Sequence, residues 1–118
     1  PLDDMLAKAD VVSLHMPLID STRNLFDRRR IALMKKDSIL VNTARGGIVD
    51  ELAVAEALRT GHLGGAALDV FADEPLPSAD HFKDCPNLIL TPHIGGLTVE
   101  SNERVSGLVA AKVLEALV

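Results

Sequence analysis

Four side chains in the middle of this 118-residue chain have the types needed to bind a small anion and move a proton: Arg45, Asp69, Glu74 and His93. A guanidinium holds a carboxylate through two parallel hydrogen bonds. Imidazole is the side chain that titrates near neutral pH unaided. A carboxylate beside it favours the imidazolium and fixes the ring. Each residue also has an ordinary use. Arg45 alone would more often cap a helix end or pair with a surface acid. His93 could be a loop histidine bonded to backbone, and Glu74 a surface charge ahead of Pro75. Asp69 ends an apolar run, where a carboxylate needs a donor. A ligand amide and the backbone of a neighbouring turn are equal candidates for that donor.

Spacing makes the joint reading stronger than any single one. Ile39-Leu40-Val41 precedes Arg45, Ala66-Ala67-Leu68 precedes Asp69, and Leu88-Ile89-Leu90 precedes His93. Ligands of open parallel sheets bind outside the carboxyl ends of the strands, so the four groups are expected on one rim. Gly46-Gly47 and Gly95-Gly96 let the backbone turn sharply there.

The elements that must carry these residues are legible in outline. Leu2 to Ala9 reads as a short helix, then Val11 to Leu14 as a β-branched strand left through Met16-Pro17. Asp27 is placed to cap a helix with Arg28-Arg29-Arg30 as a solvated face and Ile31, Leu33 and Met34 inward. Ser38 to Asn42 is the second strand. Asp50 should cap a third helix, buried through Leu52, Ala53, Ala55, Ala57 and Leu58 and stopped at Gly61. Gly64 to Val70 and Leu88 to Thr91 are the third and fourth strands. The loop between them has room for one helical turn around Ala79 to Phe82. Thr98 should cap a long helix to the C-terminus, with Val105, Leu108, Val109, Val113, Ala116 and Leu117 on its apolar side and Gly107 marking a close neighbour. Short, continuously apolar strands separated by helices predict α/β architecture around a parallel sheet.

Composition narrows the classes. Hydrophobic residues make up 47% and charged residues 25%, the balance of an ordinary globular domain. A net charge of -5 and 3% aromatics leave no basic stripe and few rings to stack bases, which argues against nucleic acid as a partner. No apolar run approaches the roughly 18 residues of a membrane span, and no metal-ligand spacing is present. One cysteine, Cys85, is compatible with a cytoplasmic protein and has no neighbouring His to make it a nucleophile. His15 is expected to pack, and His62 and His81 to lie on the surface.

Asn42-Thr43-Ala44-Arg45-Gly46-Gly47, Leu68-Asp69-Val70-Phe71, Asp73-Glu74-Pro75 and Thr91-Pro92-His93-Ile94-Gly95-Gly96, with Ala9-Asp10-Val11-Val12-Ser13-Leu14-His15-Met16-Pro17-Leu18 before them, resemble the signature segments of the D-isomer-specific 2-hydroxyacid dehydrogenases. The resemblance covers nearly the whole chain in order. It implies a Rossmann-type dinucleotide domain binding NAD, with NADP left open, and hydride exchange with a small 2-oxoacid or 2-hydroxyacid. It implies that Arg45 binds the substrate's carboxylate and keto group, and that His93 with Glu74 handles the proton. It implies that Asp69 meets the nicotinamide carboxamide, and that Met16, Pro17, Thr43, Ala44, Arg45, His93, Gly95 and Gly96 line the cofactor. A homodimer is also implied. Glu74 sets the chain apart from the formate dehydrogenase branch. Transcriptional corepressors similar to this family keep the Arg, Glu and His and use the dinucleotide to govern binding, so a binding protein is the rival. A regulatory half-domain without cofactor is a second rival, and it predicts Arg45, Glu74 and His93 scattered.

The glycine-rich G-x-G-x-x-G loop and the acidic ribose ligand are not found in these residues. Pro1 opens without Met, and Val118 closes inside a helical pattern. Residues 1–118 are therefore expected to be the second, nicotinamide-side half of the dinucleotide domain. The phosphate loop and substrate domain would lie elsewhere, and the piece alone would be inactive. Val11–Leu14 is then expected at an open sheet edge needing cover from another strand.

Overall fold

The computed structural model describes residues 1–117 as a four-stranded parallel sheet with the first three helices packed on one face. The order along the chain is α1 (Leu2–Leu6), β1 (Val11–Leu14), α2 (Arg28–Leu33), β2 (Ile39–Asn42), α3 (Glu51–Arg59), β3 (Gly65–Leu68), a 3-10 turn (Asp80–Phe82), β4 (Leu88–Leu90) and α4 (Val99–Leu117). The strands lie in sequence order, and β1 is an edge, as expected. Val118, where the last helix was expected to continue, is outside the described residues.

Side-chain alternation decides which face is covered. The rows Val12–Leu40–Ala66–Leu88 and Leu14–Asn42–Leu68–Leu90 point toward the helices and are buried or half-buried. The intervening row through Ser13, Val41, Ala67 and Ile89 faces the other way, and Ile89 is 63% exposed. The main core joins Leu6, Leu14, Phe26, Ile31, Leu40, Ile48, Val54 and Leu58 between sheet and helices. A smaller cluster of Ala55, Leu68, Phe71 and Phe82 lies beneath the loop after β3, with the two rings edge-on at 6.3 Å.

The caps form where the sequence predicts them. Asp27 accepts from Arg30 N–H at 2.8 Å, Asp50 from Ala53 N–H at 3.0 Å, and the Thr98 hydroxyl from Ser101 N–H at 3.0 Å. Gly61, at φ +70°, ends α3.

Several side chains depart from expectation. Leu52 is 63% exposed because α3 buries Ala53, Val54, Ala57 and Leu58; at 100° per residue, Leu52 shares the outer face with Glu56 and Arg59. Leu33 is exposed too, at the end of a two-turn helix that buries Ile31. The arginine run is more than a solvated face. Arg28 pairs with Glu56, and Arg29 and Arg30 grip Asp3 at 2.9 and 3.1 Å, lacing α2 to α3 and α1. His62 is half-buried, its Nε2 3.2 Å from Ile31 O, and His81 is half-buried beside Phe82. His15 does not pack inside; it is exposed with Nε2 2.8 Å from the Ser13 hydroxyl. The apolar stripe of α4 is present as expected but buries nothing among the described residues, and a Cβ on Gly107 would have no neighbour within 4 Å. The close neighbour expected there is not among them.

Candidate active site

The parallel register sets the rim. Leu14, Asn42, Leu68 and Leu90 are aligned partners, so the loops that follow β1 to β4 leave the sheet at one level. Hydrogen bonds continue the ladder past the strands: Asp69 N–H donates to Asn42 O at 2.9 Å and Thr91 N–H to Leu68 O at 3.0 Å. Arg45, Asp69, Glu74 and His93 all lie on these exit loops.

Asp69 organises the loop of His93. It is 4% exposed, and its carboxylate is engaged at both oxygens by the neighbouring strand exit. Oδ1 accepts from the Thr91 hydroxyl at 2.5 Å and from Ile94 N–H at 2.9 Å, and Oδ2 accepts from Gly95 N–H at 2.8 Å. Burial alone would raise its pKa. The three hydrogen bonds and the nearby His93 outweigh burial and hold the carboxyl below its ordinary value. Of the two donors open to Asp69 from sequence, the turn backbone is the one the structure supplies. A carboxylate has about four acceptor sites, so one on Oδ2 remains for another donor.

That grip supports an unusual backbone. His93 has φ +55°, the left-handed region that a non-glycine residue adopts at some cost. Its N–H donates to Asp69 O at 2.8 Å and to Thr91 O at 3.1 Å. Gly95 lets the turn close on the carboxylate: a Cβ would stand 2.9 Å from Asp69 Oδ2 and push it from its place. Held this way, His93 places Nδ1 2.6 Å from Glu74 Oε2. The other Glu74 oxygen accepts from Phe71 N–H at 2.8 Å. The His93 hydrogen bond first, and then that from Phe71, hold the Glu74 carboxyl below its ordinary value. With Nδ1 engaged, Nε2 is the ring nitrogen free to exchange a proton. The pair borders a cavity of about 650 Å³ walled by Phe71, Pro75, Leu76, Leu90 and Pro92.

Arg45 stands on the neighbouring loop rather than in contact with that pair. Its turn is closed by Asn42, buried at the end of β2: Nδ2 donates to Arg45 O at 3.0 Å, and Oδ1 accepts from Ala44 N–H at 3.1 Å. The guanidinium is exposed and donates to Ala44 O at 2.6 Å. It lines a second cleft of about 340 Å³ with His15, Met16, Pro17, Thr43 and Ala44. The two loops nevertheless touch. A Cβ on Gly46 would lie 1.6 Å from Phe71 O, and one on Gly95 would lie 4.0 Å from Thr43 Cβ. Gly96 has nothing within 4 Å of its Cβ position.

The sequence-predicted residues therefore fall into two adjoining groups. Glu74, His93, Asp69 and Gly95 form one; Met16, Pro17, Thr43, Ala44 and Arg45 form the other. Of the three residues that the half-domain reading expects scattered, His93 and Glu74 are in contact, while Arg45 lines the other cleft. Sequence reasoning assigned no role to Asn42, Thr91 or Glu51, whose Oε1 accepts from Ala72 N–H at 2.7 Å. A buried polar residue ending an apolar strand, as Asn42 does, was the available signal. Among the described residues no group of three His, Cys, Asp or Glu gathers as a metal site, and no helix is long and apolar enough to cross a membrane.

One cleft carries the Arg45 cation, and the other has apolar walls and the His93–Glu74 pair. The chain resembles known proteins over most of its length. The family profile of the D-isomer specific 2-hydroxyacid dehydrogenase NAD binding domain matches residues 1–95. The (S)-sulfolactate dehydrogenase of Chromohalobacter salexigens is 54% identical over 98% of this chain and 38% of its own length. A crystal structure of a glyoxylate reductase from Paecilomyes thermophila superposes with TM-score 0.89 at 36% identity, covering 98% of this chain and 35% of that one. A D-lactate dehydrogenase from Aquifex aeolicus, complexed with NAD and lactic acid, gives TM-score 0.84 at 36% identity over 98% of this chain and 39% of that one. The chain thus spans little more than a third of the length of these relatives.

Proposed function

This chain belongs to the D-isomer specific 2-hydroxyacid dehydrogenases, as a stretch of their NAD-binding domain, and from that premise we propose that the full-length protein exchanges hydride between NAD(P)H and a small 2-oxoacid or D-2-hydroxyacid. We read residues 1–118 as the nicotinamide-side half of the dinucleotide domain. The observation that carries the proposal is the 2.6 Å contact between His93 Nδ1 and Glu74 Oε2 at the carboxyl rim of the sheet.

Bound nicotinamide would supply or accept the hydride at its ring C4. Met16, Pro17, Thr43, Ala44, Gly95 and Gly96 offer the wall and backbone that would hold it, and Asp69 has one acceptor site left for an amide donor. The residues of this chain do the rest. Arg45 pairs with the substrate carboxylate and the keto oxygen, which removes the cost of bringing an anion onto the rim. As the keto carbon is reduced, charge grows on its oxygen. Arg45 and protonated His93 meet that charge where it develops. His93 then gives its Nε2 proton to the oxygen, while Glu74 stabilises the imidazolium and fixes its tautomer. Oxidation of the hydroxyacid runs the same proton back to Nε2.

Side-chain specificity is assigned to the part of the protein beyond this chain, which leaves sulfolactate-, glyoxylate-, phosphoglycerate- and lactate-like substrates in play. We also read the protein as a cytoplasmic homodimer. A single free cysteine suits a reducing compartment, and the uncovered apolar stripe of α4 suits a buried interface.

The test is turnover of the full-length protein against a panel of 2-oxoacids with NADH and with NADPH. Reduction of at least one acid, lost about 100-fold or more in His93→Gln, supports the proposal. Dinucleotide binding without turnover of any acid would replace it with the binding-protein reading.

A further inference from the structure

Glu51 has no part in the reaction just described, yet its carboxylate sits where the two halves of the site join. It is the first residue of α3, which the Arg45 turn leads into. Its Oε1 accepts from Ala72 N–H at 2.7 Å. Next to Ala72, Phe71 N–H donates to Glu74 Oε1, and Glu74 Oε2 in turn faces His93 Nδ1. From the other side, Gly46 presses on the same stretch, its Cβ position 1.6 Å from Phe71 O and 2.8 Å from Ala72 N. The Phe71–Ala72 peptide is therefore the meeting point of the Arg45 turn and the Glu74 loop. Ala72 is exposed and lies in a segment with little regular structure. Without Glu51 its amide would turn to water, and the loop would lose a fixed anchor. Only 15% of the Glu51 side chain is exposed, and His81 Nε2 lies 3.3 Å from its second oxygen without hydrogen-bond geometry.

We propose that Glu51 is a positioning residue: by holding the Ala72 amide it fixes the Glu74 carboxylate against His93 and sets the spacing of that pair from Arg45. Its catalytic meaning rests on His93 and Glu74 being the proton-transfer pair. The positional claim itself is readable without turnover. A purely electrostatic role for Glu51 has the opposite signature. Removing a neighbouring negative charge favours ionisation of Glu74 and lowers its pKa. Releasing the Ala72 loop weakens the His93 and Phe71 hydrogen bonds that hold Glu74 down, and raises it.

The experiment is a carbon-detected NMR titration of the Glu74 carboxyl in the full-length protein, in wild type, Glu51→Ala and Glu51→Gln. Gln keeps an oxygen able to accept from Ala72. The midpoint should rise by about half a pH unit or more in Glu51→Ala and stay at or below the wild-type value in Glu51→Gln, which loses the charge but keeps the acceptor. An unchanged or lowered midpoint in Glu51→Ala, or an equal rise in both variants, overturns the proposal. If Glu51→Ala does not fold, exchange of the Ala72 amide in wild type and Glu51→Gln decides. Protection in both supports the tie, and exchange at the rate of a free loop in wild type refutes it. Activity separates the two readings. If His93→Gln leaves turnover intact, the proton-transfer reading fails, while the titration still decides the position of Glu74.

Discussion

Asp69 holds His93 through both its main chain and its side chain. Its carbonyl accepts the His93 amide at 2.8 Å, while its carboxylate takes the amides of Ile94 and Gly95 just beyond. A left-handed histidine is costly in isolation. Three hydrogen bonds accepted by one residue keep this one in place, with the Thr91 hydroxyl completing the carboxylate's set.

Asp69→Asn should loosen that turn. The amide offers one acceptor oxygen and turns an N–H₂ toward backbone donors. The expected loss is about 1–3 kcal/mol of stability, read by urea unfolding, with at least a tenfold fall in turnover of the full-length protein. Unchanged stability would mean that the turn holds itself.

Acid should open the same loop. Asp69 and Glu74 both have folded-state pKa values below their ordinary ones of 3.8 and 4.5. A depressed carboxylate contributes stability that is present above its unfolded pKa and lost as pH falls through the folded one. The Ile94 and Gly95 amides should therefore stay protected from hydrogen exchange near neutrality and lose protection below about pH 4. In Glu74→Gln that part of the acid dependence belonging to Glu74 should disappear.

Glycine substitutions at two positions should differ in sign. Gly46→Ala forces a methyl into the Phe71 carbonyl and should cost about 3 kcal/mol or more, with the Arg45 turn displaced from the Glu74 loop. Gly107→Ala meets nothing among the described residues. It lies inside α4, so it should stabilise the 118-residue chain by up to about 1 kcal/mol. Thermal unfolding of the two variants beside wild type checks both.

The 118-residue chain, taken alone, should turn over no 2-oxoacid and should self-associate. The α4 stripe through Val105, Leu108, Val109 and Val113 and the sheet face at Ile89 leave apolar surface uncovered. Sedimentation velocity over a concentration series should show a rising mass. A monomer at every concentration would mean that this surface tolerates water.

The sequence by itself determined the strands, their parallel sense, the caps at Asp27, Asp50 and Thr98, and the place of Arg45, Asp69, Glu74 and His93 on loops that leave the strands. These follow from local signals: apolar runs of strand length, acceptors ahead of helices, and polar residues at strand ends. Only the tertiary structure decided what each polar group does there. Asp69 spends its carboxylate on backbone 25 and 26 residues further along, past the next strand, and Glu51 ties the start of its helix to Ala72, 21 residues on. The same holds for Leu52, which is apolar but faces out, and for His81, which is polar but half-buried. Hydrogen bonds between residues distant along the chain depend on how loops close over one another, and periodicity along the chain carries no record of that.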